Sequence, residues 1–127
     1  MFKLYKFKTR GIGVISTQLI LKNSIIGNYL ENPSKQNKIV RHIYNGWFET
    51  PILGRYLNHN ENSNCYLSLK SDRLELISNK DILPNQEITV NYFDVVNLLK
   101  MPEDIIQKHQ IDNFSYVEEN IEPKTII

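Results

Sequence analysis

The feature that most limits what this 127-residue chain can fold into is the shortness of its regular stretches. Apolar and polar residues alternate over brief runs, and a turn signal closes each one. Residues 3–8 alternate lysine with Leu4, Tyr5 and Phe7, and Gly11-Ile12-Gly13 then marks a tight turn before Val14-Ile15. Residues 19–30 hold short β-branched runs broken by Asn23-Ser24 and Gly27-Asn28. Leu67-Ser68-Leu69 and Leu74-Glu75-Leu76 flank residues 70–73 in a hairpin pattern, and Pro84-Asn85 is a turn before the alternating residues 87–92. Helical spacing is confined to three places. Residues 38–47 carry Ile39, Ile43 and Trp47 at four-residue intervals; residues 95–101 make a turn stopped by Pro102; Pro102-Glu103-Asp104 suits the first turn of another helix. The segment from Phe114 reads as strand or coil. The expectation is one domain over residues 1–127, mainly β with short helices.

Composition narrows the function classes. At 41% apolar and 23% charged the chain is an ordinary globular sequence rather than a disordered or linker-like one. One cysteine, Cys65, excludes an internal disulfide framework and an all-thiolate zinc site. No apolar run approaches the ~20 residues of a membrane span, and the start lacks a signal-peptide core, so a soluble intracellular protein is expected, with no membrane partner. Net charge is +1 but unevenly placed: residues 1–41 carry +7, residues 42–80 balance, and residues 81–127 carry −6. The two ends attract each other in the fold, or the acidic part faces a cationic substrate. No aromatic stacking motif accompanies the N-terminal lysines, so no nucleic-acid partner is expected.

Taken singly, the candidate chemical residues favour structural roles. Gly11-Ile12-Gly13 is followed by Ser16 where the dinucleotide fingerprint needs glycine, so a hairpin turn is the simpler reading. His42, His59 and His109 lie far apart without helical zinc spacing, and no metal site is expected. Cys65 and His59 are a conceivable nucleophile–base pair, although a lone buried cysteine is usually inert. Tyr92, at the end of the 87–92 strand pattern, suits a core position with its hydroxyl satisfied.

Order and spacing together say more. A G-x-G near the start, Arg55-Tyr56-Leu57-Asn58-His59 with Asn64-Cys65 shortly after, and Glu87-Ile88-Thr89-Val90-Asn91-Tyr92 about thirty residues on resemble the SET-domain protein-lysine methyltransferases. The Asn28-Tyr29 and Glu31 region also looks like the family's stretch after its first strands. The resemblance covers residues 4–94. Asn60 and Ser63 stand where the family usually has the serine of N-H-S and a proline. No cysteine-rich segment flanks the core, leaving residues 95–127 as a covering segment without metal, in the manner of minimal viral and bacterial members.

The resemblance implies a β-clip-like fold of small sheets with a C-terminal pseudoknot, and S-adenosylmethionine as cofactor. It places the main chain of Gly11, Ile12 and Gly13 at the methionine part of the cofactor, and the Asn58 side chain and His59 backbone near its amino group and adenine. Tyr92 matches the catalytic tyrosine, with Phe93, Phe114 and Tyr116 as aromatic candidates to cover adenine. Val90 occupies the position that often sets how many methyls are added, and Tyr66 is a neighbouring candidate to wall the lysine channel. The implied substrate is a lysine in a protein or peptide, such as a histone tail. The alternatives are a SET-like module that binds a basic peptide without turnover, and an unrelated β-rich interaction module.

Physical chemistry constrains the implied reaction. A free lysine, with a pKa of about 10.4, is a nucleophile in about one molecule of 2,500 at pH 7, a cost of about 4.6 kcal/mol. A phenol with a pKa of about 10 is a poor base at that pH. A dry channel and a nearby sulfonium both lower the lysine pKa, so the expected role of Tyr92 is to orient the amine, with the proton leaving to water.

Overall fold

A computed structural model describes residues 1–9, 11–33 and 41–102. Residues 2–7 and 11–16 form the first hairpin, β1 (Phe2–Phe7) against β2 (Gly11–Ser16), with Phe2 opposite Ser16 and Phe7 opposite Gly11. The expected turn at Gly11-Ile12-Gly13 falls just before these residues, and the two glycines begin the return strand instead. β1 is covered on both faces, which suits its mixed pattern. Tyr5 and Phe7 join Ile15 in one small cluster, while Phe2 and Leu4 pack against the main core on the other side.

The main sheet contains β3 (Ile25–Glu31), β4 (His42–Tyr44), β5 (Trp47–Glu49), β7 (Cys65–Leu69) and β8 (Arg73–Ser78) in the order β4-β5-β3-β8-β7, antiparallel throughout. The β7–β8 hairpin forms where alternation placed it. β8 is its clearest member: Leu74, Leu76 and Ser78 are buried, while Arg73, Glu75 and Ile77 are half-buried on the other face. Gly27-Asn28 does not end β3 but shifts its register against β8, as a bulge does.

The structure corrects two expected elements. Within the expected helix at 38–47, the described residues form the β4–β5 hairpin. Its Asn45 and Gly46 adopt φ of 46° and 85°, the left-handed pair that a tight hairpin turn demands. His42 Nε2 accepts from Gly46 N at 3.0 Å and supports that turn. Local turn chemistry therefore overrides the four-residue apolar spacing. The second correction concerns Tyr92, expected to close a strand. It opens α2 (Tyr92–Leu99), because the Asn91 side chain accepts from Phe93 N at 3.0 Å and caps the helix. Lys100, in the left-handed conformation, ends α2. The expected helix beyond Pro102, the segment from Phe114, and most of the expected covering segment with its pseudoknot lie outside the described residues.

Among the described residues, three further short elements are α1 (Leu53–Tyr56), β6 (Asn58–His59) and β9 (Thr89–Val90). The run leading into β9 is bonded along both edges. On one side Ser16 N donates to Gln86 O (2.9 Å) and Ile88 N to Val14 O (2.8 Å), antiparallel to β2. On the other side β9 pairs in parallel with β6, Asn58 opposite Thr89 and His59 opposite Val90. Glu87, Ile88, Thr89 and Val90 are all buried. Among the described residues, no helix is long and apolar enough to cross a membrane.

Candidate active site

The site grows from the point where α1 ends. Leu57, buried, turns to extended backbone while its N–H still bonds to Leu53 O, and β6 follows at once. The Asn58 amide nitrogen then donates to Glu87 Oε2 at 2.8 Å and to Ile12 O at 3.4 Å. This crossing passes directly over Gly13. A Cβ at position 13 would lie 2.6 Å from Asn58 Nδ2, from Glu87 Oε2 and from the Phe7 ring, so only glycine lets the three approach. Gly11, at φ of 79°, begins the same strand and is exposed.

His59 is 2% exposed. Its Nδ1 accepts from Tyr92 N at 2.9 Å, and its ring centroid lies 5.0 Å from that of Tyr92 and 5.7 Å, edge-on, from that of Phe93. Burial pushes its pKa down to about 4, so the imidazole is neutral at pH 7 and keeps the Nδ1 lone pair that the contact requires. The Tyr92 N–H belongs to the first turn of α2, where helix donors lack an internal acceptor; His59 supplies one. The Tyr92 hydroxyl donates to Leu57 O at 2.5 Å. Backbone and phenol of Tyr92 are thus both held by residues 57–59, and Val90, fully buried, pairs with His59 beside them.

A third residue fixes β9 from outside the pairing. The Asn64 side chain donates from Nδ2 to Glu87 O (2.8 Å), and its Oδ1 accepts from Thr89 N (3.0 Å), reproducing the bonds of a strand neighbour. Sequence reasoning gives no role to Asn64, to the Glu87 carboxylate or to the Leu57 carbonyl. The first two are visible only as letters of a pattern, and a main-chain carbonyl leaves no signal.

Other candidates lie apart. Tyr66 sits on β7, 39% exposed, on the face opposite Cys65 and Leu67. Cys65 is 1% exposed and burial pushes its thiol up to about 12, which removes it as a nucleophile partner for His59. Arg55 belongs to α1; it stacks 5.7 Å from the Tyr56 ring centroid and reaches Glu49 at 3.5 Å. Tyr29 is buried, and burial, then the Glu49 carboxylate, holds its phenol protonated above the ordinary range. Phe114 and Tyr116 lie outside the described residues. Among the described residues no three His, Cys, Asp or Glu side chains gather as a metal site would need.

Comparison with known structures bears on the fold. The methyltransferase domain of human histone-lysine N-methyltransferase SETMAR aligns with a TM-score of 0.53 at 19% identity, over 79% of this chain and 46% of that one. KRYPTONITE, in a complex with mCHH DNA, an H3(1-15) peptide and SAH, aligns at 0.52 and 20% identity, over 72% of this chain and 23% of that one. The methyltransferase domain of human PR domain-containing protein 2 aligns at 0.50 and 22% identity, over 70% and 74%. This chain therefore spans less than half the length of the first two. A search of curated protein sequences finds no match. The SET domain family model matches residues 11–93, the span that begins at the Gly11 strand and ends at Phe93 on α2. Well over half the sequence thus fits one family pattern, its Gly13, Asn58, His59 and Tyr92 elements meet at one junction, and the chain belongs to the SET-domain family.

Proposed function

We propose that this protein moves a methyl group from S-adenosylmethionine to the side-chain amine of a lysine in a protein substrate. The observation that carries the reading is the meeting of three distant stretches at one junction: Ile12-Gly13, residues 57–59, and Val90 to Phe93. Family membership supports it, as does the SAH and histone peptide present in the KRYPTONITE complex.

The residues present fit the cofactor. Gly13 lets Asn58 and Glu87 close over its main chain, and nothing lies within 4 Å of the Cβ position at the exposed Gly11. Gly11, Ile12 and Gly13 would hold the methionine end, the Asn58 side chain and His59 backbone the amino group and adenine, and Phe93 the adenine side. When bound, S-adenosylmethionine supplies an electrophilic methyl group on a sulfonium sulfur.

The chain's own contribution is to present the amine. Because the Tyr92 proton is committed to Leu57 O, the phenolic oxygen keeps its lone pairs for an N–H of the incoming lysine. Leu57 O, only 2.5 Å away, adds a second acceptor. Two acceptors so close orient an amine without removing its proton, which passes to water. In-line placement of this kind is worth about 7–11 kcal/mol, more than the roughly 4.6 kcal/mol needed to deprotonate the lysine. Val90 is assigned to the inner end of the lysine channel. Tyr66, exposed on β7, meets a substrate from the solvent side.

The test is incubation with labelled S-adenosylmethionine and a lysine peptide library, with Tyr92→Phe beside the wild type. Turnover should drop about 100-fold or more in the variant, while S-adenosylhomocysteine binding by calorimetry stays within about 2-fold. Near-normal turnover in Tyr92→Phe refutes the assignment. Cofactor binding with no labelled peptide would instead favour a binding module.

A further inference from the structure

We infer that Glu87 is a positioning residue that fixes which way the Asn58 amide faces, and so creates the acceptor for the cofactor's α-ammonium group. The inference rests on the methyl-transfer reading. A carboxamide carries two donors on nitrogen and one acceptor oxygen, and the two ends are nearly equal in size. At Asn58 both neighbours on one side, Glu87 Oε2 (2.8 Å) and Ile12 O (3.4 Å), are acceptors. They engage both N–H groups of Nδ2. Reversing the amide would set Oδ1 against two oxygens, so the orientation is locked. Among the described residues nothing donates to Asn58 Oδ1. What remains is a held oxygen, half-buried, whose complement is a hydrogen-bond donor. The α-ammonium of an amino-acid-bearing cofactor is such a donor, and binding it here is charge-assisted.

Glu87 is suited to this work by its surroundings. It is 3% exposed, and its strand is pinned by β2 on one edge and by Asn64 and β6 on the other. It reaches Asn58 because Gly13 lacks a Cβ. Glutamine in its place is nearly the same size but presents either a donor or an acceptor, so the Asn58 amide would no longer be held to one orientation.

The test is calorimetry with two probes, S-adenosylhomocysteine and 5′-methylthioadenosine, which lacks the amino-acid end. Glu87→Gln should bind S-adenosylhomocysteine about 10- to 100-fold more weakly, the value of one hydrogen bond to a charged group, and 5′-methylthioadenosine within about 2-fold. The double variant Asn58→Asp/Glu87→Gln reverses donor and acceptor between these two side chains, with Ile12 O still facing position 58, leaves a carboxylate oxygen for the ammonium, and should recover part of the loss. It carries the test if the single variant does not fold. Equal weakening of both probes, no weakening, or no recovery in the double variant overturns the inference while the methyl-transfer reading stands. Failure of the wild type to bind S-adenosylhomocysteine at all overturns both.

Discussion

The five-stranded sheet and the junction of β2, β9 and β6 keep their strands in register by different means. In the sheet, alternation does it: Leu67, Leu74 and Leu76 are buried, and a slip of one residue would turn them to water. At the junction β6 and β9 are two residues long, too short for such a pattern to act. Side chains bonded to main chain replace it: Asn58 to Ile12, Asn64 to Glu87 and Thr89, His59 to Tyr92, Ser16 Oγ to Leu83 O. The difference teaches where damage goes. A defect in the sheet costs stability and leaves the site's geometry alone, whereas a defect at the junction moves the residues assigned to chemistry.

Three measurements press on that division, beginning with the largest effect. Leu76→Ala leaves a cavity at a fully buried position of β8 and should cost about 3–4 kcal/mol in urea unfolding. The protein that remains folded should bind S-adenosylhomocysteine as the wild type does; a selective loss of binding would erase the distinction. The second probes His59, whose folded pKa of about 4 lies below the ordinary 6.5. Its contribution is whole above pH 6.5, falls as the unfolded chain takes up a proton first, and is gone once pH drops through about 4. At 1.36 kcal/mol per pH unit that window amounts to about 3 kcal/mol. His59→Gln keeps an acceptor but cannot titrate, so its stability should fall less steeply from pH 6.5 to 4; identical slopes would show that His59 carries no such load. The smallest effect belongs to Asn64→Ala. Loss of the splint exposes one donor and one acceptor to non-pairing and should cost about 2 kcal/mol. Turnover should fall further than that stability loss implies, with substrate KM little changed. A pure stability effect would place Asn64 with the sheet residues.

Legibility divides along the same line. The β7–β8 hairpin can be read directly, because Leu67, Leu69, Leu74 and Leu76 alternate around a polar turn. Residues 42–49 mislead, since Ile43 and Trp47 mimic helical spacing while Asn45-Gly46 dictates a hairpin. Tyr92 reads as the end of a strand because residues 87–92 alternate, yet the Asn91 cap starts a helix there. For the site, nothing in periodicity brings Gly13, Asn58 and Tyr92 together. Only resemblance to a family does. Asn64, Glu87 and the Leu57 carbonyl stay unassigned because their partners lie 23, 29 and 35 residues away, and hydrogen bonds at such separations leave no local trace.

The double-edged seating of the run into β9 has a consequence for how the molecule assembles. Its Ser16 contact to Leu83 spans 67 positions, and its other edge waits on β6. Closing loops of that length is the slow, entropically costly part of folding. The run that delivers Tyr92 is thus held by contacts of high sequence separation, and its seating depends on β2 and β6 both being in place. A chain in which either edge is missing would not hold Tyr92 against residues 57–59.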